Sequence, residues 1–395
     1  MPTSSRARWW WAVVLLVLGA LTAGGWVGRA WLGEAAARAS ARVEEWATRL
    51  QGIAASVPQA EIEERTGLTG SHSALVVLGE GPGDCAFALL ALSPEGVPSL
   101  TLLPSTLLGV VPGYGEFTLA EALAFEGPDL AALTVVNELG VRLDEVVALG
   151  TGDLAAALPA TVIVDLPVPL LTEEDGGLLQ VLGAGVQPLA PAAVEMLLVT
   201  PGSGDSFEWM QRQGAAWRGI LAVVIADPEV ADRLAAFSSA GSSVAADLIV
   251  TAATADGLLL GAPPLEAVST IGGEALALSA GAAAEFVPSR LGHLLLMAGE
   301  RPRVEVLNGN GRIGATRVVA EAVVRRGFRV VRTDNADRFD YATTLVVAQG
   351  EEAQQAAREV AGILGIAAVY LEEAAPSLVV EVSIIVGQDI PAGEA

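Results

Sequence analysis

The pattern of apolar and polar positions changes character three times along the chain. Residues 9–27 read WWWAVVLLVLGALTAGGWV without a charge, and at about 1.5 Å of rise per residue such a run just crosses about 30 Å of hydrocarbon. It predicts one membrane-spanning helix. Arg6 and Arg8 ahead of it place the N-terminus in the cytoplasm, and the tryptophans at 9–11, 26 and 31 fit the two interfacial belts. A cleaved signal peptide is the alternative, because small residues near 36–41 offer a cleavage site. Both readings export the rest of the chain. Residues 34–66 are rich in helix formers with charge spread around them and Pro58 interrupting, which predicts a helical juxtamembrane stalk.

After Gly67 short apolar, often β-branched runs alternate with turn signals. Strands are expected at 74–78, 86–92, 100–103, 145–149 and 162–166, and helices at 117–125 and 130–139, the second closing at Gly140. The Ala-rich stretch 222–284, punctuated by Gly257 and Pro263-Pro264, reads as mostly helical. Alternating strands and helices predict an α/β (α+β layered) domain over 67–297. A second, smaller domain is expected over 298–395, with a strand at 304–307 and a stripe of Ala315, Val318, Val319, Ala322 and Val323 running to Gly327. Strands at 328–331 and 344–348, a helix from Ala353 to its cap at Gly365, and strands at 367–371 and 379–386 complete it. The order is β-α-β-β-α-β with an extra strand.

Composition narrows the function classes. A net charge of −24 with no basic stripe argues against nucleic acid as a partner. The single cysteine, Cys85, excludes an internal disulfide framework and sits in the apolar run CAFALLAL, where it reads as a small buried hydrophobe. The two histidines, His72 and His293, lack ligand-spaced partners. Gly309-Asn310-Gly311-Arg312-Ile313-Gly314 follows a strand, opens a helix and has Asp334 behind it, matching the dinucleotide fingerprint. The domain is too short for a doubly wound sheet, so these residues read as a turn feeding a helix, and no nicotinamide cofactor is expected. Glu173-Glu174-Asp175 lacks the alternating oxygen spacing of a calcium or magnesium loop and reads as a solvated turn.

Two stretches resemble a known family. The runs VEVLNGNGRIGATRVVAEAVVRRGFRVV, DNADRFDYATTLVV and SLVVEVSIIVGQDI, over about 301–390, look like the LytR C-terminal domain, which accompanies exported cell-envelope proteins. More faintly, residues 73–296 are similar to the LytR–CpsA–Psr domain, whose members resemble phosphotransferases moving polyprenyl-pyrophosphate-linked glycans onto the cell wall. Asp84 and the strand after it, Ser93-Pro94-Glu95-Gly96, Thr118 to Pro128, Leu139 to Asp144 and Arg212-Gln213 carry that likeness. The departures matter as much. Where the family writes Ile-Pro-Arg-Asp-Thr this chain has Leu102-Leu103-Pro104-Ser105-Thr106, its Lys-Ile-Asn reads Thr118-Leu119-Ala120, and the first arginine of a later pair falls on Trp209.

The resemblance therefore implies Asp84 and Arg212 as the surviving catalytic candidates and Arg142 and Asp144 as ligand-binding candidates, too few charges to hold a leaving pyrophosphate. The expected protein is a single-pass cell-membrane protein with its bulk extracytoplasmic. It would be a noncatalytic binding or scaffolding partner in glycopolymer assembly, with the membrane and a polyprenyl lipid or wall glycan as partners. The alternative is a divergent phosphotransferase, needing Mg²⁺, in which Arg142, Arg218 or Arg233 converge on Asp84.

Overall fold

The computed structural model describes residues 70–390 apart from 160, 175, 240–243, 256, 271–272 and 373–378. The predicted anchor and stalk, 1–66, lie outside the described residues. Among the described residues no helix is long and apolar enough to cross a membrane.

Strands β1 (His72–Gly79), β2 (Cys85–Leu92) and β3 (Pro98–Leu103) form an antiparallel meander. Their near-continuous burial is that of interior strands covered on both faces. A small hairpin, β4 (Leu108–Val111) and β5 (Gly115–Thr118), leads into α1 (Leu119–Glu126) and α2 (Pro128–Leu139). Strand β6 (Glu145–Leu149) then lies parallel beside β1. The chain continues through α3 (Asp153–Ala157), β7 (Val162–Leu166), the hairpin β8 (Leu170–Glu174) and β9 (Gly177–Leu182), and β10 (Gly185–Leu189), which pairs with β7. Helices α4 (Pro191–Val199), α5 (Ser206–Ala226), α6 (Glu229–Ala235) and α7 (Val244–Thr254) come next. Strand β11 (Leu259–Gly261) completes a five-stranded sheet of order β11-β3-β2-β1-β6. The hairpin β12 (Leu265–Thr270) and β13 (Gly273–Leu278), then α8 (Ala280–Leu291), close this half.

Because side chains alternate across a pleated sheet, the two faces build two cores. Leu75, Val77, Phe87, Leu89 and Leu103 pack with α1 and α2, while Val76, Leu78, Ala88, Leu90, Leu100 and Leu102 pack with α4, α5 and α7. The result is a three-layered mixed α/β arrangement.

The C-terminal half runs β14 (Arg303–Asn308), α9 (Ala315–Val324), β15 (Arg329–Asn335), β16 (Leu345–Gln349), α10 (Gln354–Leu364), β17 (Val369–Glu372) and β18 (Val382–Val386). Its sheet order is β15-β14-β18-β16-β17, with β18 antiparallel to β16 and the other pairs parallel. The predicted strand and helix order holds, including the extra strand, and Gly140 and Gly365 adopt the left-handed conformation (φ 70° and 68°) that ends a helix without a Cβ penalty.

Two expectations are corrected. The helix expected at 117–125 starts at Leu119, because Thr118 caps it: the Thr118 hydroxyl accepts from Glu121 N–H while the Glu121 carboxylate accepts from Thr118 N–H, leaving Phe117 on a strand. The stretch 222–284 is helical only in part: from Leu259 to Leu278 the strands β11, β12 and β13 replace the expected helix. There β12 and β13 pair antiparallel, and pairing overrides the helix propensity of alanine.

Helix α2 joins the two halves. The Asn137 side chain is fully buried; its Oδ1 accepts from Val330 N–H at 2.9 Å, and its Nδ2 donates to the carbonyls of Val330 at 2.8 Å and Val110 at 3.0 Å. Arg301 gives its guanidinium to three carbonyls, those of Asn137, Gly327 and Phe328. Burial pulls its pKa down to about 10, which leaves it charged at neutral pH. Ion pairs Arg329–Glu138 (3.0 Å) and Arg317–Glu126 flank this contact, and Tyr114 donates to the same Glu126.

Asn137→Ala strips partners from both polar groups of Val330 in a dry site. It is expected to cost roughly 2–4 kcal/mol of unfolding free energy, read in a denaturant titration as a lower midpoint with one transition retained for both halves.

Candidate functional site

Asp84 lies at the end of the β1–β2 turn, where its N–H donates to the Gly81 carbonyl at 3.2 Å and its side chain is exposed. Next to it Cys85 is fully buried, and burial together with the negative Asp84 pushes the thiol up to about 12. A hydrogen bond with the Ser105 hydroxyl opposes that rise. The loop after β3 is held from both sides: Ala120 N–H donates to Ser105 O, and Leu276 N–H, on β13, donates to Thr106 O, each at 3.0 Å.

Arg212 is elsewhere. It sits in the N-terminal third of α5, 1% exposed, with Nη1 donating to Pro169 O at 3.2 Å and Nη2 to Pro201 O. Its pKa is lowered by burial, with Glu208 and Asp205 opposing the shift. The guanidinium fastens the segments before β8 and before α5 to the helix, which is a structural use of its planar fork. Beside it Trp209, 1% exposed, donates its indole N–H to Leu198 O at 3.0 Å, and Gln213 Nε2 donates to the same carbonyl at 2.7 Å. Three polar side chains of one helix thus satisfy carbonyls at the ends of its neighbours.

Arg142 and Asp144 are together, facing each other rather than a groove. Their ion pair is 2.8 Å long; Arg142 Nη2 also donates to Ser71 O at 2.7 Å, and Asp144 Oδ2 accepts from Ser73 N–H at 2.8 Å. The Ser73 hydroxyl donates to Arg142 O at 2.9 Å. This clasp holds the start of β1 against the segment entering β6. Arg233 is engaged with Ala157 O and Asp227, and Arg218 is exposed on α5. The structure therefore does not bring the candidate arginines to Asp84.

The turn at 309–314 is self-contained. Asn308 Oδ1 accepts from the N–H groups of Asn310 and Gly311, and Asn310 Oδ1 accepts from Arg312 N–H, so the amides that a phosphate would use are taken. A Cβ at Gly309 would lie 2.8 Å from both Ile385 and Tyr341, which explains the glycine by close packing. Glu173 and Glu174 end β8, exposed, and among the described residues no group of three His, Cys, Asp or Glu side chains converges as a metal site.

Residues 301–389 match the family described as LytR cell envelope-related transcriptional attenuator. No curated protein matches the chain. Among solved structures, TagV of B. subtilis is similar at 13% identity over 57% of this chain and 97% of that one, with a TM-score of 0.46. A LytR-Csp2A-Psr enzyme from Actinomyces oris is similar at 17% identity over 57% and 92%, TM-score 0.44. TagT bound to LI-WTA is similar at 18% identity over 57% and 90%, TM-score 0.43. With each TM-score below 0.5, the role of residues 70–297 is left to their own geometry.

Arg212→Ala leaves two carbonyls without a donor in a dry site and is expected to lower stability by about 2–4 kcal/mol, with Arg212→Lys failing to restore it because one ammonium cannot reproduce the fork. Chemical denaturation of the three proteins reads this directly. His293 offers a pH test: burial lowers its pKa from the ordinary 6.5, with Glu95 opposing and Arg142 reinforcing. The folded state then prefers neutral imidazole, so this contribution is complete above the unfolded value. It is lost as pH falls below about 6.5 and levels off below the folded value. His293→Gln is expected to flatten that part of the stability profile.

Proposed function

We propose, since residues 301–389 match the LytR C-terminal family, that the chain is a membrane-anchored, extracytoplasmic cell-envelope protein. In it a LytR–CpsA–Psr-like half acts as a noncatalytic binding or scaffolding partner in wall glycopolymer assembly. The observation that carries this reading is the fate of Arg212: the one arginine retained from the family's later motif is buried, with its guanidinium engaged by the Pro169 and Pro201 carbonyls. Phosphoryl transfer depends on charges fixed around the leaving group, and the groups available here are bound to the fold itself. The apolar run at 9–27 supplies the anchor and the compartment in this reading.

The test uses the full-length chain in detergent with a polyprenyl-pyrophosphate-linked glycan and Mg²⁺, an active relative alongside, and release of polyprenyl monophosphate as readout. No release is expected from a chain that melts cooperatively. Turnover that disappears in Asp84→Asn would establish the phosphotransferase instead.

A further inference from the structure

The short 3₁₀ turn Gly292–Leu294 that follows α8 is sewn to two other segments of the first half. Arg142 N–H donates to Leu294 O at 2.7 Å, Leu296 N–H donates to Gly140 O at 2.9 Å, and the Ser71 hydroxyl donates to His293 O at 3.2 Å. Among the described residues the strand-like pairing here is one isolated bridge between Val141 and Leu295, so the seam has no ladder behind it. Contacts this sparse belong to the part of a fold that opens first. His293 sits in the middle of the seam, and its Nε2 is buried without a hydrogen-bond partner. A neutral imidazole can leave a lone pair in such a seat. A protonated one has to bury an N–H and a positive charge there without an acceptor, which costs far more.

The charged groups around the ring do not rescue the protonated form in place. Burial comes first in holding the ring neutral; Glu95, exposed on the β2–β3 turn, opposes it, and Arg142, on the segment leading to β6, reinforces it. Asp144 is taken up by Arg142 at 2.8 Å and by Ser73 N–H, and Arg290, three residues before His293, is a second cation beside it. His72, the other imidazole, is exposed on β1 next to Ser71. An open cleft borders His293 on the side of Glu95, so a ring that leaves its seat has water to enter. We propose that His293 is an acid-operated latch on this seam. Neutral, the ring keeps its seat and the seam is closed; protonated, it turns out into the cleft, and the bonds at Ser71, Arg142 and Leu296 open while both cores stay folded. The device is independent of the function proposed above.

Amide hydrogen exchange of the full-length chain in detergent, read residue by residue and corrected for the intrinsic effect of pH on exchange, tests the latch between about pH 7.5 and about pH 5.5. The released ring titrates at the ordinary 6.5, so linkage allows opening to grow by up to about tenfold one unit below that value. Exchange at Arg142 and Leu296 is expected to quicken towards that limit in acid, with the β1 and β2 amides unchanged. His293→Phe, which keeps an aromatic ring that cannot charge, is expected to remove the acid response, and His293→Gln serves if the phenylalanine variant does not fold. His72→Gln is expected to keep the response in full. Exchange at Arg142 and Leu296 that is flat across this range, an acid response that survives the loss of His293, or one shared equally by β1 and β2 overturns the assignment.

Discussion

A single carboxamide decides how the two halves of this protein relate. Asn137, on a helix that belongs to the first half, gives one strand residue of the second half both of its main-chain partners. Inside a protein an unpaired peptide group is expensive, so Val330 can be buried only where Asn137 is, and the position of the C-terminal sheet is set to within hydrogen-bond tolerance. Arg301 repeats the arrangement from the other direction by returning its guanidinium to the Asn137 carbonyl. The apolar core conforms to this: residues of β1, α2, α9 and β18 belong to one continuous cluster. The C-terminal half is thereby fused to the first half as one body.

The same economy governs the charges. Arg142, Arg212, Arg233 and Arg301 all donate to main-chain carbonyls, so guanidinium groups that in another chain would meet phosphate here tie one segment of backbone to another. Their planar forks suit this, because one side chain reaches two or three acceptors that lie on different segments.

The sequence made the C-terminal half readable because its helices carry clean apolar stripes, Val319 and Val323 on α9 and Val360 and Leu364 on α10, each followed by a glycine, and its strands are β-branched. Alanine hid the middle of the chain, being equally at home in α7 and in β13, and the short strands β4, β5, β8, β9 and β10 gave too little alternation to stand out. For the candidate site, the resemblance made Arg212 legible as a residue to examine. Its partners were not, because the carbonyls of Pro169 and Pro201 carry no signature in side-chain identity. Arg142 and Asp144 are near neighbours in the sequence and proved to be each other's partner.

The clasp at the start of β1 has a mechanical side. Ser71 and Ser73 are tied by Arg142 and Asp144, and the Ser71 hydroxyl also donates to the His293 carbonyl at 3.2 Å. A pull arriving along the chain from before Gly70 therefore loads this knot of charged and hydroxyl contacts before it reaches the ladder of β1, which lies between β2 and β6 inside the sheet. A body tethered by its N-terminal side through such a knot resists peeling strand by strand. It gives way, when it does, by losing an interior strand and with it both cores at once.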